Sequence, residues 1–300
     1  MLFLIRDYLQ FNKKMMEKFI NQIIEGNCVE VMKQFDDNVI DLTLTSPPYD
    51  NLRSYKGYVF PFEEIAQQLY RITKPGGVVV WVVADATIDG SETGTSFKQA
   101  LYFKEIGFNL HDTMIFRKIN PVPQIYRKRY TNEFEYMFVF SKGPVKTHNP
   151  IMVDCKHAGL ELNGTTYKNY SKNDQIREKL AKPVKDKKIK GNIWEYVVGK
   201  KDEDQEAKRH PAPFPCQLVR DHIISWTNPG DIVLDPMCGS GTTPRVACEM
   251  GRKYIGIDIS HEYCELARHR VKLIEMQLRL FCAEEPVEEY YDSGKGVSKV

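Results

Sequence analysis

The sequence predicts an α/β protein built on a doubly wound, mostly parallel sheet. Three observations lead there. Apolar runs of strand length (Val39–Thr45, Val78–Val83, Ile232–Leu234) alternate with segments of helical spacing such as Phe62–Ile72 and Cys216–Trp226. The run Val78–Val83 is continuously apolar, as a strand covered on both faces must be. The chain also lacks any internal repeat that would point to a solenoid or a propeller.

Composition narrows the class further. An apolar fraction of 42% over 300 residues is enough for an ordinary core, in one large domain or a domain with an insertion. The formal net charge is only +2, so a nucleic-acid surface must be a local basic patch. Seven cysteines, an odd number without paired short spacing, indicate a reducing compartment, no disulfide framework and no metal site. The apolar start Met1–Ile5 is too short for a signal peptide or a span, so a cytoplasmic protein with no membrane partner is expected. Met15 and Met16 are alternative translation starts.

In chain order, residues 1–18 read as an N-terminal extension. Residues 19–143 follow as the first half of the main domain. Within it, Phe19–Ile24 is a short strand closed by Gly26-Asn27-Cys28, and Val29–Phe35 is a short helix. After the strand Val39–Thr45, Phe62–Ile72 is helical, closed by the turn signal Lys74-Pro75-Gly76-Gly77. The buried strand Val78–Val83 precedes the helix Phe97–Ile106. The strands Leu110–Phe116 and Phe134–Ser141 flank a loop rich in Pro, Arg, Lys and Tyr. Residues 144–209 are polar and lysine-rich, with five lysines in Lys182–Lys190, and read as an insertion. Order returns in residues 210–282: rigid His210–Pro215, helix Cys216–Trp226, strand Ile232–Leu234, helix Thr243–Met250, strand Tyr254–Asp258 and helix Glu262–Leu280. The composition of 283–300 is that of a mobile tail.

Two stretches carry chemistry. Val39–Thr45 stops at Ser46-Pro47-Pro48-Tyr49, where two prolines lack N–H donors and fix φ, so the strand cannot continue. The corner offers a hydroxyl, carbonyls and an aromatic plate, parts suited to gripping a planar base by its exocyclic amine. The plainer alternative is a strand-ending turn with a packing tyrosine. The second stretch, Asp235-Pro236-Met237-Cys238-Gly239-Ser240-Gly241-Thr242-Thr243, has a strand–glycine turn–helix layout. Its glycines allow close backbone approach, and the helix start favours an anion. Asp258, at the end of the next strand, is placed to accept from ribose hydroxyls; capping the following helix is its competing role. The turn lacks the dinucleotide spacing, and Asp235 suits an ammonium better than a pyrophosphate. A ligand with a ribose, an amine and a carboxylate fits, and S-adenosyl-L-methionine fits better than NAD.

Together these residues closely resemble the amino-methylating DNA methyltransferases of the β group. Ser46, Pro47, Pro48 and Tyr49 match the catalytic tetrapeptide. Asp235–Thr243 matches the cofactor loop, with Met237 in place of the usual phenylalanine, and His210–Pro215, including Phe214, matches the segment that introduces it. Gly26-Asn27-Cys28 matches the adenine-contacting turn, where Asp is usual instead of Asn27. The resemblance implies an S-adenosylmethionine-dependent methyltransferase fold with circularly permuted motif order, the catalytic strand early and the cofactor strand late. Asn27, Asp235, Pro236, Gly239, Ser240, Gly241, Thr242, Phe214 and Asp258 become the expected cofactor residues. Residues 144–209 fall where the group places its target recognition domain. The implied partners are double-stranded DNA and a cognate restriction endonuclease; monomer and homodimer both stay open.

The resemblance further implies a flipped-out target base and a basic cleft. Arg53, Lys56, Arg127, Lys128 and Arg129 are the chosen phosphate contacts, with Arg117 and Lys118 as further candidates and Tyr126 and Tyr130 interleaved. For each of these cations ordinary solvation is the competing explanation. Ser-Pro-Pro-Tyr is associated more with the N4 amine of cytosine than with the N6 amine of adenine, so cytosine is the expected target. Beside these stand a DNA-binding subunit without catalysis and a nicotinamide-dependent oxidoreductase, the latter disfavoured by the glycine spacing.

Overall fold

The computed structural model describes residues 16–48, 60–123, 128–159, 185–199 and 214–284. Its centre is an eight-stranded sheet. In chain order the elements are β1 (Gln22–Glu25), α1 (Cys28–Met32), β2 (Ile40–Thr45), α2 (Phe62–Ile72), β3 (Thr73–Val83), β4 (Thr87–Ile88), β5 (Ser91–Glu92) and α3 (Thr95–Glu105). They continue with β6 (Asn109–Lys118), β7 (Phe134–Ser141), β8 (Met152–Asp154), β9 (Lys187–Ile189), β10 (Ile193–Tyr196), α4 (Cys216–Trp226), β11 (Ile232–Asp235), α5 (Thr242–Glu249), β12 (Lys253–Asp258) and α6 (His261–Glu284). The sheet order is β1-β12-β11-β2-β3-β7-β6-β10. Only β7 runs against the rest, pairing antiparallel with β3 and β6.

Both faces of the sheet are covered. β3 shows why its sequence is continuously apolar. Val78, Val80 and Val82 face a layer built with Leu218, Val219 and Ile223 of α4, Val246 of α5 and Ala267 and Val271 of α6. Val79, Trp81 and Val83 face Ile65, Leu69 and Ile72 of α2 and Phe103 of α3. The apolar stripe of α2 follows the i, i+4, i+7 spacing of a helix with one buried side.

One detail differs from the sequence expectation. Lys74–Gly77, expected as a turn, lies inside β3. Ile40 pairs with Thr73 and Leu42 already with Val78, so the turn residues form an excursion within the ladder. Gly76, at φ +80°, could not carry a side chain there, because a Cβ would fall 2.7 Å from the Lys146 Cβ. In 144–209, read from the sequence as an insertion, the described parts are joined to the main body. β10 pairs parallel with β6 at the sheet edge, and Val145, Ile151 and Val198 pack against the α4 layer. β8 and β9 form a separate two-stranded ribbon. Among the described residues no helix is long and apolar enough to cross a membrane.

Candidate active site

The sheet order places the site. From β11 the chain moves to β12 on one side, whereas from β2 it moves to β3 on the other. The carboxyl ends of β11 and β2 therefore border a topological switch point, the place where open α/β sheets bind ligands. The cofactor turn follows β11 and the proline corner follows β2, although almost two hundred residues separate them in the chain. A direct bond ties the two strand ends: the Thr45 hydroxyl donates to Asp235 Oδ1 at 2.7 Å. Thr243, at the start of α5, donates to the Leu44 carbonyl at 3.4 Å.

At the corner, Ser46 and Pro48 are half-buried and Pro47 is buried. Tyr49, Arg53 and Lys56 lie outside the described residues, as does Arg127. The cofactor turn is described in full. Gly239 and Gly241 both take left-handed backbone, at φ 49° and 79°. At Gly241 the need is steric as well, since a Cβ would sit 2.5 Å from the Ala267 Cβ on α6. Ser240 and Thr242 are buried. Arg270, also buried, reaches from α6 to donate to the Ser240 carbonyl and, at 3.4 Å, to the Thr242 hydroxyl.

Asp258 joins the neighbouring turns. Its Oδ2 accepts from the Gly239 N–H at 2.8 Å and its Oδ1 from the Ser260 N–H at 2.9 Å. Its backbone carbonyl accepts from the Gly26 N–H at 2.9 Å. Asp258 thus forms a turn ahead of α6, whose first turn is capped by Ser260 accepting from the Tyr263 N–H at 3.4 Å, and it also bonds directly to the glycine turn. A carboxylate has about four acceptor sites, so ribose hydroxyls remain compatible with both bonds. Asn27, next to Gly26, caps α1 by accepting from the Val29 N–H at 2.9 Å. Phe214 is half-buried against the α4 layer, one residue before the helix cap Pro215, and Pro236 is buried behind the turn.

The electrostatics are those of a dry rim. Burial pushes the Asp235 carboxyl up to about 6, against hydrogen bonds from Thr45, Thr243 and the Met237 N–H, and the charge of Asp258 adds to the rise. Burial also pushes the Cys28 thiol up to about 12 and the Cys264 thiol up to about 11, with Cys238 driven the same way. These thiols are poor nucleophiles, which favours chemistry that needs no covalent enzyme intermediate.

The basic candidates divide. Lys128 is exposed, whereas Arg129 pairs with Glu92 at 3.3 Å and donates to the Gly90 carbonyl. Arg117 pairs with Glu195 at 2.8 Å and Lys118 with Glu135 at 2.8 Å. In the lysine run, Lys185, Lys187 and Lys188 are exposed; Lys190 is bound to Asp221 at 3.3 Å and lies over the Trp194 ring. Sequence reasoning missed Thr45 and Arg270. The signal for Arg270 was available: it interrupts the apolar stripe Cys264, Ala267, Val271, Ile274 of α6.

A turn shaped for close backbone approach, carboxylates at two adjacent strand ends and a proline corner beside them define a class of nucleoside-cofactor transferases. Residues 40–269 match the family described as DNA methylase, and the chain belongs to that N6/N4 methyltransferase family. It is 52% identical over 240 residues to the orphan methyltransferase M.BamHII of Bacillus amyloliquefaciens, covering 79% of this chain and 90% of that protein. The type II methyltransferase M.BglII of Bacillus subtilis is 28% identical, over 84% of this chain and 69% of its own length. Among solved structures, the PvuII DNA methyltransferase (cytosine-N4-specific) superposes with a TM-score of 0.62 at 19% identity, covering 87% of this chain and 93% of that one. A putative DNA modification methylase of Thermus thermophilus, complexed with S-adenosyl-L-methionine, gives 0.55 at 20% identity, over 84% and 95%. The chain is an S-adenosylmethionine-dependent DNA methyltransferase with the methyltransferase fold. The turn 235–242, Asp258 and Asn27 fit this cofactor. Asp235 and Asp258 place carboxylate acceptors at neighbouring strand ends, whereas the tight contact at Gly241 fixes the turn against α6.

Proposed function

We propose that the chain methylates the exocyclic N4 amine of cytosine, in a flipped-out base at a specific DNA site. The observation that carries this reading is the Thr45–Asp235 bond, which holds Ser46-Pro47-Pro48 against the cofactor turn. When bound, S-adenosylmethionine supplies a sulfonium methyl group that is already a strong electrophile. The weak partner is the base amine, whose lone pair is delocalised into the ring. The Ser46 hydroxyl and the Pro47 carbonyl accept its N–H groups and localise that lone pair, and Tyr49 stacks on the ring to align it with the methyl. Asp258 and Asn27 orient the nucleoside of the cofactor, and Asp235 faces its amine. Arg53, Lys56, Arg127 and Lys128 supply phosphate contacts, Arg129 being engaged with Glu92 and the Gly90 carbonyl, and the region 144–209 reads the target sequence.

The type II names among the relatives support a restriction-modification setting, for which the cytoplasm is the expected compartment. M.BglII and M.SmaI are named type II methyltransferases and M.BamHII an orphan methyltransferase. A cognate endonuclease is expected to be a separate chain with the same recognition sequence.

Methylome sequencing of DNA from cells expressing the chain tests the reading. N4-methylcytosine at one recurrent sequence is the expected result. N6-methyladenine there replaces the cytosine assignment with the adenine one. Cofactor binding with no modified base overturns catalysis in favour of a DNA-binding subunit.

A further inference from the structure

The hairpin β4–β5 is not accounted for by the cofactor turn or by the proline corner. We propose that it is a wedge, with Ile88 entering the DNA base stack beside the flipped nucleotide and holding that nucleotide out. The inference rests on the DNA-methylating reading above.

The hairpin grows from the catalytic rim. Thr45, the last residue of β2, pairs with Trp81 of β3, which lies beside it in the sheet. β3 continues past that point through Val83, and β4 begins at Thr87. Ile88 lies seven positions after Trp81, a reach of no more than about 25 Å from Trp81 and so about 30 Å from the end of the catalytic strand. A base step is about 3.4 Å, so this reach stays within a single turn of duplex.

The hairpin is built to be stiff. Thr87 pairs with Glu92 and Ile88 with Ser91 across a two-residue turn. That turn, Asp89-Gly90, has φ values of 49° and 81°, the left-handed pair that matches the twist of flanking strands. At the root, the Thr93 N–H donates to the carbonyl of buried Ala86 at 3.0 Å. Asp85 accepts from the Ser96 N–H and hydroxyl at 2.8 and 2.6 Å, which fixes the hairpin to the start of α3. Arg129 braces the tip through Glu92 and the Gly90 carbonyl, and it neutralises the carboxylate that would otherwise face phosphates.

At the end of this braced element stands a large apolar side chain: Ile88 is 57% exposed. Space around Gly90 is open as well. A soluble hairpin tip gains nothing from a bare isoleucine, whereas unstacked bases offer an apolar slot that proteins fill with such wedges. Filling it offsets part of the unstacking and unpairing cost of flipping. Ile88 is thus a positioning residue that acts through the DNA.

The test compares Ile88→Ala with the wild-type chain on two duplexes carrying the site found by methylome sequencing. One is fully paired; the other has an abasic position opposite the target base, so the target is already unpaired. A wedge predicts roughly a tenfold loss of methylation rate on the paired duplex and recovery to within about threefold of wild type on the abasic one. The dissociation constant for S-adenosylhomocysteine stays unchanged, which excludes a folding defect. Equal losses on both duplexes, or no loss on either, overturn the inference. A wild-type chain that methylates neither duplex overturns the underlying reading instead.

Discussion

Two clusters of buried polar groups sit on the same sheet and are built in different ways. Beneath α4, Asp221 accepts from the Tyr196 hydroxyl at 2.7 Å, from Gln217 at 2.7 Å and from Lys190 at 3.3 Å. Beside it, His222 Nδ1 accepts from the Trp226 indole at 3.2 Å, and its ring lies against Trp194. Gln217 and Trp226 bond within α4, while Tyr196 of β10 and Lys190, just before it, join the helix to the sheet edge. At the rim, Asp235 accepts from the Thr45 hydroxyl, but Asp235 and Asp258 also hold loop backbone: the N–H groups of Met237, Gly239 and Ser260. Both clusters bury ionisable groups, so burial alone does not mark a functional site. What separates them is the target of the bonds. The α4 side chains bonded to one another fasten a sheet edge to a helix, whereas the rim carboxylates bonded to loop N–H groups at strand carboxyl ends fix the shape of the glycine turn.

The sharpest contrast is in turnover. Ser46→Ala is expected to cut methyl transfer about 10²–10³-fold, the scale of losing one aligned polar contact to a reacting group. Cofactor affinity, read by calorimetry, is expected to stay within about twofold. Near-normal turnover would remove Ser46 from the catalytic assignment. Gly241→Ala probes the cradle itself. It combines strain at φ +79° with a clash against Ala267, and is expected to cost about 3–4 kcal/mol in urea unfolding and to weaken cofactor binding. Unchanged stability would show that α6 gives way and that the close approach is not required.

These particulars also show what was legible in the sequence. The parallel strands, the cofactor turn and the corner could be read because each is encoded locally, by continuous apolar runs, by glycines and by paired prolines. α2, β7 and α4 fall where periodicity placed them. Pairing between distant segments could not be read. The Thr45–Asp235 bond spans 190 positions, and no local pattern distinguishes Thr45 from the other threonine on β2. The turn signal at Lys74–Gly77 was real but ambiguous, because a bulge and a turn demand the same left-handed glycine. Lys190 looked like part of a solvated or DNA-facing run, and only the arrival of α4 beneath β10 gives it Asp221 and two aromatic rings.

The two clusters are also expected to answer pH with opposite signs. Asp235 has its carboxyl raised from 3.8 to about 6, so the folded state binds the extra proton and stability falls as pH rises through that window. His222 is pushed by burial from 6.5 down to about 3, so the unfolded state binds the extra proton and stability falls as pH drops below 6.5. In wild type the two slopes oppose each other between about pH 4 and 6, which hides both. Single variants expose them. Relative to Asp235→Asn, wild type is expected to lose about 2–3 kcal/mol as pH rises from 4 to 6.5. Relative to His222→Gln, wild type is expected to lose stability as pH falls over the same range. Parallel slopes in the two unfolding series would mean that the clusters do not differ in this respect.

The smallest effect tests whether the α4 cluster is purely structural. Tyr196→Phe removes one donor from Asp221 but leaves Lys190 and Gln217 in place, so the carboxylate keeps partners. The expected cost is about 1–2 kcal/mol of unfolding free energy, towards the low end for a hydrogen bond to a charged group because the other partners remain. Turnover and cofactor affinity are expected to stay within about twofold, because nothing in this cluster reaches the switch point between β11 and β2. β10 follows the lysine-bearing ribbon directly, so a loosened edge has one further readout, the salt dependence of DNA binding. If Tyr196→Phe alters that slope while stability changes as expected, the cluster also positions the ribbon's exposed lysines. The comparison would then be between a cradle for the cofactor and a mount for the DNA reader.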